Sequence, residues 1–280
     1  MSFYPHNVDY APPVQPSGGG HAVTGGKVAD LLKYEVAPLN TGTVNLHAAM
    51  TLDAAVTKTA GTSVVLETAV ATNVILTVTA DTGWAVGDIV KDDAKAEWCL
   101  ITSIAAAPLY TVQRGYRGTA LATHAAGATW KTVGKTVAVT LLATELAACP
   151  QLLQIKGVKA GGSLTGNVTL YGTNIKHEAI SDTIALSDDA AVPGVKAFRT
   201  VTSVDLPLRT TAADTVSLGT VKSVGLPWYV KSADYCLVKL LDGSADAGTC
   251  TYDDNEIEKN VYAVAGTPNG TKLLTLYIAH

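Results

Sequence analysis

Short β-favouring runs recur along most of this chain, and a turn signal closes each before it reaches the length of a typical helix. NVILTVTA, EWCLITSI, LYTVQRGY, KTVAVTLLA, LLQIKGV, NVTLYGT, AISDTIAL and AFRTVTSVDLP are rich in Val, Ile, Thr and aromatic residues, with Gly, Asn or Asp between them. β-branched side chains crowd a helix and sit well on a pleated, half-buried surface. Strands at such spacing, with turns between them, point to a sandwich or barrel. The apolar content can fill that core. Of the 280 residues 48% are hydrophobic and 16% are charged, a balance that favours an ordered chain over a solvated disordered one.

Three regions follow from this pattern. Residues 1–26 are rich in Pro and Gly and read as an extended N-terminal arm. Phe3, Tyr4 and Tyr10 are unusual in an arm, and laying them in a groove of a neighbour would give the rings something to bury. Residues 27–36 carry apolar side chains at Val28, Leu31, Leu32 and Val36, a spacing that predicts one short helix. Residues 44–56 read as a short helix or a strand. From SVVLETAV at 63–70 onward the pattern is that of strands. The expected fold class is all-β. A β-sandwich body spans 27–62 and 134–280, and a small β-barrel or sandwich is inserted at 63–133.

The function classes narrow by what the residues lack. Net charge is -4 and no two Lys or Arg are adjacent, which disfavours a nucleic-acid partner. No apolar run approaches the roughly 20 residues a bilayer demands, so no membrane partner is expected. The N-terminus does not read as a secretory signal, which predicts folding in a cytoplasm. Cys99, Cys149, Cys236 and Cys250 have no metal-site spacing and read as buried thiols. Cys236 and Cys250 fall in neighbouring predicted strands and could face each other, and the sequence leaves open whether a disulfide forms there after release from a reducing cell. Asp92, Asp93 and Glu97 could serve acid/base chemistry or hold a cation, but an Asp pair before a small residue is an ordinary turn; Asp188-Asp189 and Asp253-Asp254 are read the same way. No phosphate loop, Gly-x-Ser-x-Gly or paired histidine motif is present. No catalytic residue, cofactor site or metal site is therefore expected.

Two stretches carry a resemblance. From Gly87, GDIVKDDAKAEWCLITSIAAAPLYTVQRGYRGTALATHAAGATW resembles a small β domain of phage tail and capsid-associated proteins, in which RG-x-x-GT is followed by a His and a Gly. The matching positions are Arg114, Gly115, Gly118, Thr119, His124 and Gly127. The second stretch, NVTLYGTNIKHEAISDTIALSDDAAVPGVKAFRTVTSVDLP, is similar to a family of phage virion proteins in its valine-rich strand, GTN, acidic turn and VDLP ending. The resemblance implies a structural component of a tailed-phage virion, without enzymatic activity.

Residue roles follow on that basis. Arg114, Gly115, Gly118 and His124 are expected to form a structural loop clamp, with an Arg114–His124 active pair as the weaker reading. Phe198 is expected to anchor a core, and Trp228 and Tyr229 to fill a domain seam or a subunit contact. The leading expectation is a capsid decoration (cement) protein, acting as a homo-oligomer with three copies favoured. Its partners would be itself and the major capsid protein or other virion proteins. A tail, neck or fibre component is the alternative, as is a carbohydrate-binding module using Trp84, Trp98 or Trp130.

Overall fold

A computed structural model describes residues 31–42, 44–59, 73–78, 83–106, 109–141, 145–209 and 213–279. The 1–26 segment with Phe3, Tyr4 and Tyr10, and the run at 63–70, lie outside the described residues. The described chain is all-β, with only single turns of 3-10 helix between strands. In chain order the strands are β1 (Leu31–Val36), β2 (His47–Thr51), β3 (Thr57–Thr59), β4 (Asn73–Thr77), β5 (Asp88–Asp92), β6 (Cys99–Ala106) and β7 (Leu109–Gln113). They continue with β8 (Thr129–Ala138), β9 (Gln151–Val158), β10 (Asn167–Thr173), β11 (Ala179–Ala185), β12 (Ala191–Phe198), β13 (Thr200–Leu206) and β14 (Thr215–Gly225). The last are β15 (Cys236–Leu241), β16 (Ser244–Ala245), β17 (Thr249–Thr251), β18 (Val261–Ala263) and β19 (Leu274–Ala279).

The helix expected over 27–36 does not form where the structure describes that segment, because Leu31–Val36 is a strand antiparallel to β19. Leu32, Tyr34 and Val36 turn inward while Leu31, Lys33 and Glu35 face out. A run this short fits both a helical and a two-residue period, and pairing with β19 selects the second. Residues 47–51, left between helix and strand by their sequence, pair with β14.

Three antiparallel sheets result. The first has the order β1-β19-β15-β16; the second runs β12-β9-β14-β18-β17, with β2 also on β14; the third runs β11-β10-β13-β8-β5-β6-β7-β4, with β3 on β8. The second and third sheets enclose a core containing Leu153, Ile155, Leu170, Phe198, Val204 and Leu218. The opposite end of the second sheet packs on the first around Val224, Leu226, Tyr262, Leu274, Leu276 and Ile278. A separate core of Leu76, Trp84, Val90, Ile101, Tyr110, Val112 and Trp130 fills the small unit formed by β4 to β8. Burying such side chains stabilises each core by roughly 1.5–3 kcal/mol per large residue.

β8 serves both units. Its first half pairs with β3 and β5, and its second half pairs with β13 from Lys135 to Ala138. The 133/134 boundary therefore falls inside one strand, and the small unit shares that strand with the body. Gly134 sits at the crossing, where a Cβ would lie 2.7 Å from Leu206 O. On the edge strand β12 a bulge between Pro193 and Ala197 takes backbone groups out of the ladder. The Asp182 carboxylate accepts the Val195 and Lys196 N–H groups at 2.7 and 3.2 Å.

Candidate functional site

The residues that carry the RG-x-x-GT pattern occupy the turn that directly follows β7. Gly115 and Gly118 have φ of 59° and 76°, the left-handed region that glycine enters without steric cost. Arg117 has φ of 56°, a conformation that costs a non-glycine residue about 1–2 kcal/mol. A turn bent this sharply sends its two arginines to different units.

Arg114 points into the small unit and is buried. Its Nε donates to Glu97 Oε1 at 2.9 Å and its Nη2 to Glu97 Oε2 at 2.7 Å, a two-pronged pairing that matches guanidinium and carboxylate geometry. Glu97, fully buried before β6, also accepts the Gly115 N–H at 3.1 Å and the Ala122 N–H at 2.7 Å. Arg114 Nη2 donates to the Ala122 carbonyl as well. His124 Nε2 meets Glu97 Oε2 at 3.0 Å, and His124 Nδ1 meets Asp92 Oδ2 at 2.9 Å. Ionised carboxylates only accept, so the imidazole donates to both when it carries two protons. The ring lies 4.6 Å from the Trp130 ring.

Burial alone would push the Glu97 carboxyl up. Arg114, the Ala122 N–H, His124 and the Gly115 N–H together outweigh it and bring the group down to about 2. Glu97 thus remains an anion in a dry interior, fixed by the loop that it organises. Cys99 lies beside it, with its thiol pushed up by burial.

Arg117 points the other way, to the body. Its Nε donates to Asp205 Oδ2 at 2.9 Å and its Nη2 to Asp205 Oδ1 at 3.0 Å. The guanidinium lies 3.3 Å from the Tyr171 ring centroid and 4.6 Å from that of Tyr116. Thr136 Oγ1 donates to Asp205 Oδ1 at 2.7 Å, and the Tyr116 hydroxyl meets Thr136 Oγ1 at 2.7 Å. Asp205 is the acidic residue of VDLP and Arg117 lies inside RG-x-x-GT. The two stretches singled out in the sequence therefore touch through an ion pair.

An open hollow of about 750 Å³ lies beside His124, lined by Asp92, Asp93, Ala94, Lys95, Thr123, Ala125, Ala128 and Thr129 as well. Its carboxylates are already engaged. Asp92 accepts the Ala94 N–H at 3.0 Å in a tight turn and also meets His124; Asp93 pairs with Lys131. Among the described residues no group of three or more His, Cys, Asp or Glu side chains is arranged to hold a metal ion. Asp188 accepts the Leu164 N–H and Lys159 Nζ and ties the loop after β9 to the turn after β11, while Asp253 accepts the Asn255 and Glu256 N–H groups of its own turn.

The aromatic candidates divide. Trp84 and Trp130 are core residues of the small unit, and Trp98 is 37% exposed. Trp228 is half-buried and meets Tyr34 edge-on at 6.0 Å. Tyr229 is half-buried under Lys176 Nζ at 4.6 Å. Sequence reasoning missed Asp205, Tyr116 and Tyr171 as partners of the turn. Arg117 was the available signal, because a second arginine two residues past a clamping one needs its own acceptor.

Comparison of the chain with protein-family models, with curated proteins and with solved structures found no match.

Proposed function

We propose that this chain is a structural component of a tailed-phage virion, and within it a capsid decoration (cement) protein that binds at capsomer junctions and stabilises the head. One contrast supports the reading: the motif charges are spent inward as braces, while strand edges carry apolar side chains outward. Arg114 is taken up by Glu97 inside the small unit, and Arg117 by Asp205, which joins that unit to the body. On edge strands, Val195 of β12 is 59% exposed and Ile75 of β4 is 56% exposed, and Leu237, next to the edge on β15, is 59% exposed. Among the described residues, only the two-residue β16 flanks β15 on its outer side.

A rigid body with open edges is suited to holding neighbours. Unpaired backbone groups on an edge strand invite another chain, and in a symmetric assembly that liability becomes a joint. The partners under this reading are further copies of the chain, three in the favoured arrangement, and the major capsid protein. No cofactor and no chemical step is required.

The test adds the purified protein to shells of the cognate phage assembled without it and follows shell melting. Binding with a raised melting temperature is expected. Absence of both would refute decoration, and spontaneous rings or tubes of the chain alone would move it to the tail or neck.

A further inference from the structure

Cys236 opens β15 in the four-stranded sheet, and Cys250 is the middle residue of β17 at the edge of the six-stranded sheet. The two sheets share one apolar core, and both thiols lie in it beside residues such as Leu241, Tyr262 and Ile278. Cys236 follows directly on the 3-10 turn Ala233–Tyr235, which packs against β17, and the two thiols interact there. The connection between the strands is fixed by other contacts. The Asp246 N–H donates to Lys239 O at 2.9 Å, Lys239 Nζ to Gly248 O at 3.0 Å and the Tyr262 hydroxyl to Asp246 Oδ2 at 2.6 Å. The fold therefore brings both free thiols into one core through its other contacts.

We infer that Cys236 and Cys250 form an oxidation site whose product is a disulfide tying the four-stranded sheet to the six-stranded one. The oxidant is a small peroxide, which suits thiols only 4% and 8% exposed. The hydrogen bond from Cys250, helped by the Lys239 charge and opposed by burial, holds the Cys236 thiol below its ordinary value. The same hydrogen bond, with burial, pushes Cys250 up. Cys236 is accordingly the attacking sulfur.

The Cys236 thiolate attacks hydrogen peroxide. An S–O bond forms, the O–O bond breaks, and the departing hydroxide takes up the proton that Cys236 released and becomes water. Cys250 then gives up its proton and attacks Cys236 Sγ. The S–S bond forms, the S–O bond breaks and a second water leaves. The two thiols lose two electrons in all and the peroxide is reduced to two waters. This chemistry does not depend on where in a particle the chain is used.

The test treats the full chain with hydrogen peroxide, blocks remaining thiols after unfolding and maps linked peptides without reduction. The expected product links Cys236 to Cys250, with Cys99 and Cys149 recovered as blocked thiols. The oxidised chain should melt about 5 °C higher than the reduced one. Cys250→Ser should abolish both the link and the gain; if that variant does not fold, the peptide map of the unaltered chain decides alone. Recovery of Cys236 and Cys250 as separate blocked or over-oxidised residues overturns the inference, as does a link from either to Cys149.

Discussion

Replacing Glu97 by Gln keeps the shape of the side chain and removes its charge. Arg114 then loses the charge of the carboxylate it forks onto, and His124 loses one of the carboxylates it bridges. Removing one partner of a buried pair costs about 3–5 kcal/mol, much more than losing a surface pair. Denaturant unfolding read by tryptophan fluorescence checks this, because Trp84 and Trp130 both lie in the small unit's core. The same carboxylate sets an acid response. It is held down at about 2 in the folded chain against an ordinary value of 4.5, so its contribution is present above pH 4.5 and is lost as pH falls through about 2. An acid titration of stability should show a loss on the order of a few kcal/mol in that window, absent from Glu97→Gln. Parallel titration curves for the two proteins would contradict the assignment.

Among elements, the turn after β7 and the strand β8 hold the small unit to the body. A double-mutant cycle on Arg117→Ala and Asp205→Ala should give a coupling of about 1–2 kcal/mol, since the pair is forked and partly shielded. Arg117→Gly should cost about 1 kcal/mol less than Arg117→Ala, because glycine relieves the positive φ while losing the same contacts. Gly134→Val places a side chain against Leu206 O and should cost about 3 kcal/mol. Amide exchange should then speed up along β8 and β13 while β9 and β14 stay protected. The strands themselves were legible wherever a run alternated between turns, as in NVTLYGT, whose inward side chains are Val168 and Leu170. Leu31–Val36 was not, since its six residues fit two periods and only β19 chooses between them. Arg114 and Glu97 were visible as chemistry-bearing residues 17 positions apart. The Arg117–Asp205 pair was not, because strand order alone brings together residues 88 positions apart.

For the whole molecule, the six-stranded sheet takes part in two cores, and the third sheet carries the small unit on the strand β8. Among the described residues, that arrangement puts β1, β16, β4, β11, β12 and β17 at the ends of the three sheets. Edge strands with exposed apolar side chains are a hazard for a free monomer and an asset for a part that must grip its neighbours. Under the proposed function these edges meet the surface of a phage head. A low-resolution map of phage particles that contain the chain decides this. Density matching this β body is expected on the outside of the head, over the junctions between capsomers and in symmetric clusters. A head whose junctions are bare, in particles shown to contain the chain, would contradict it.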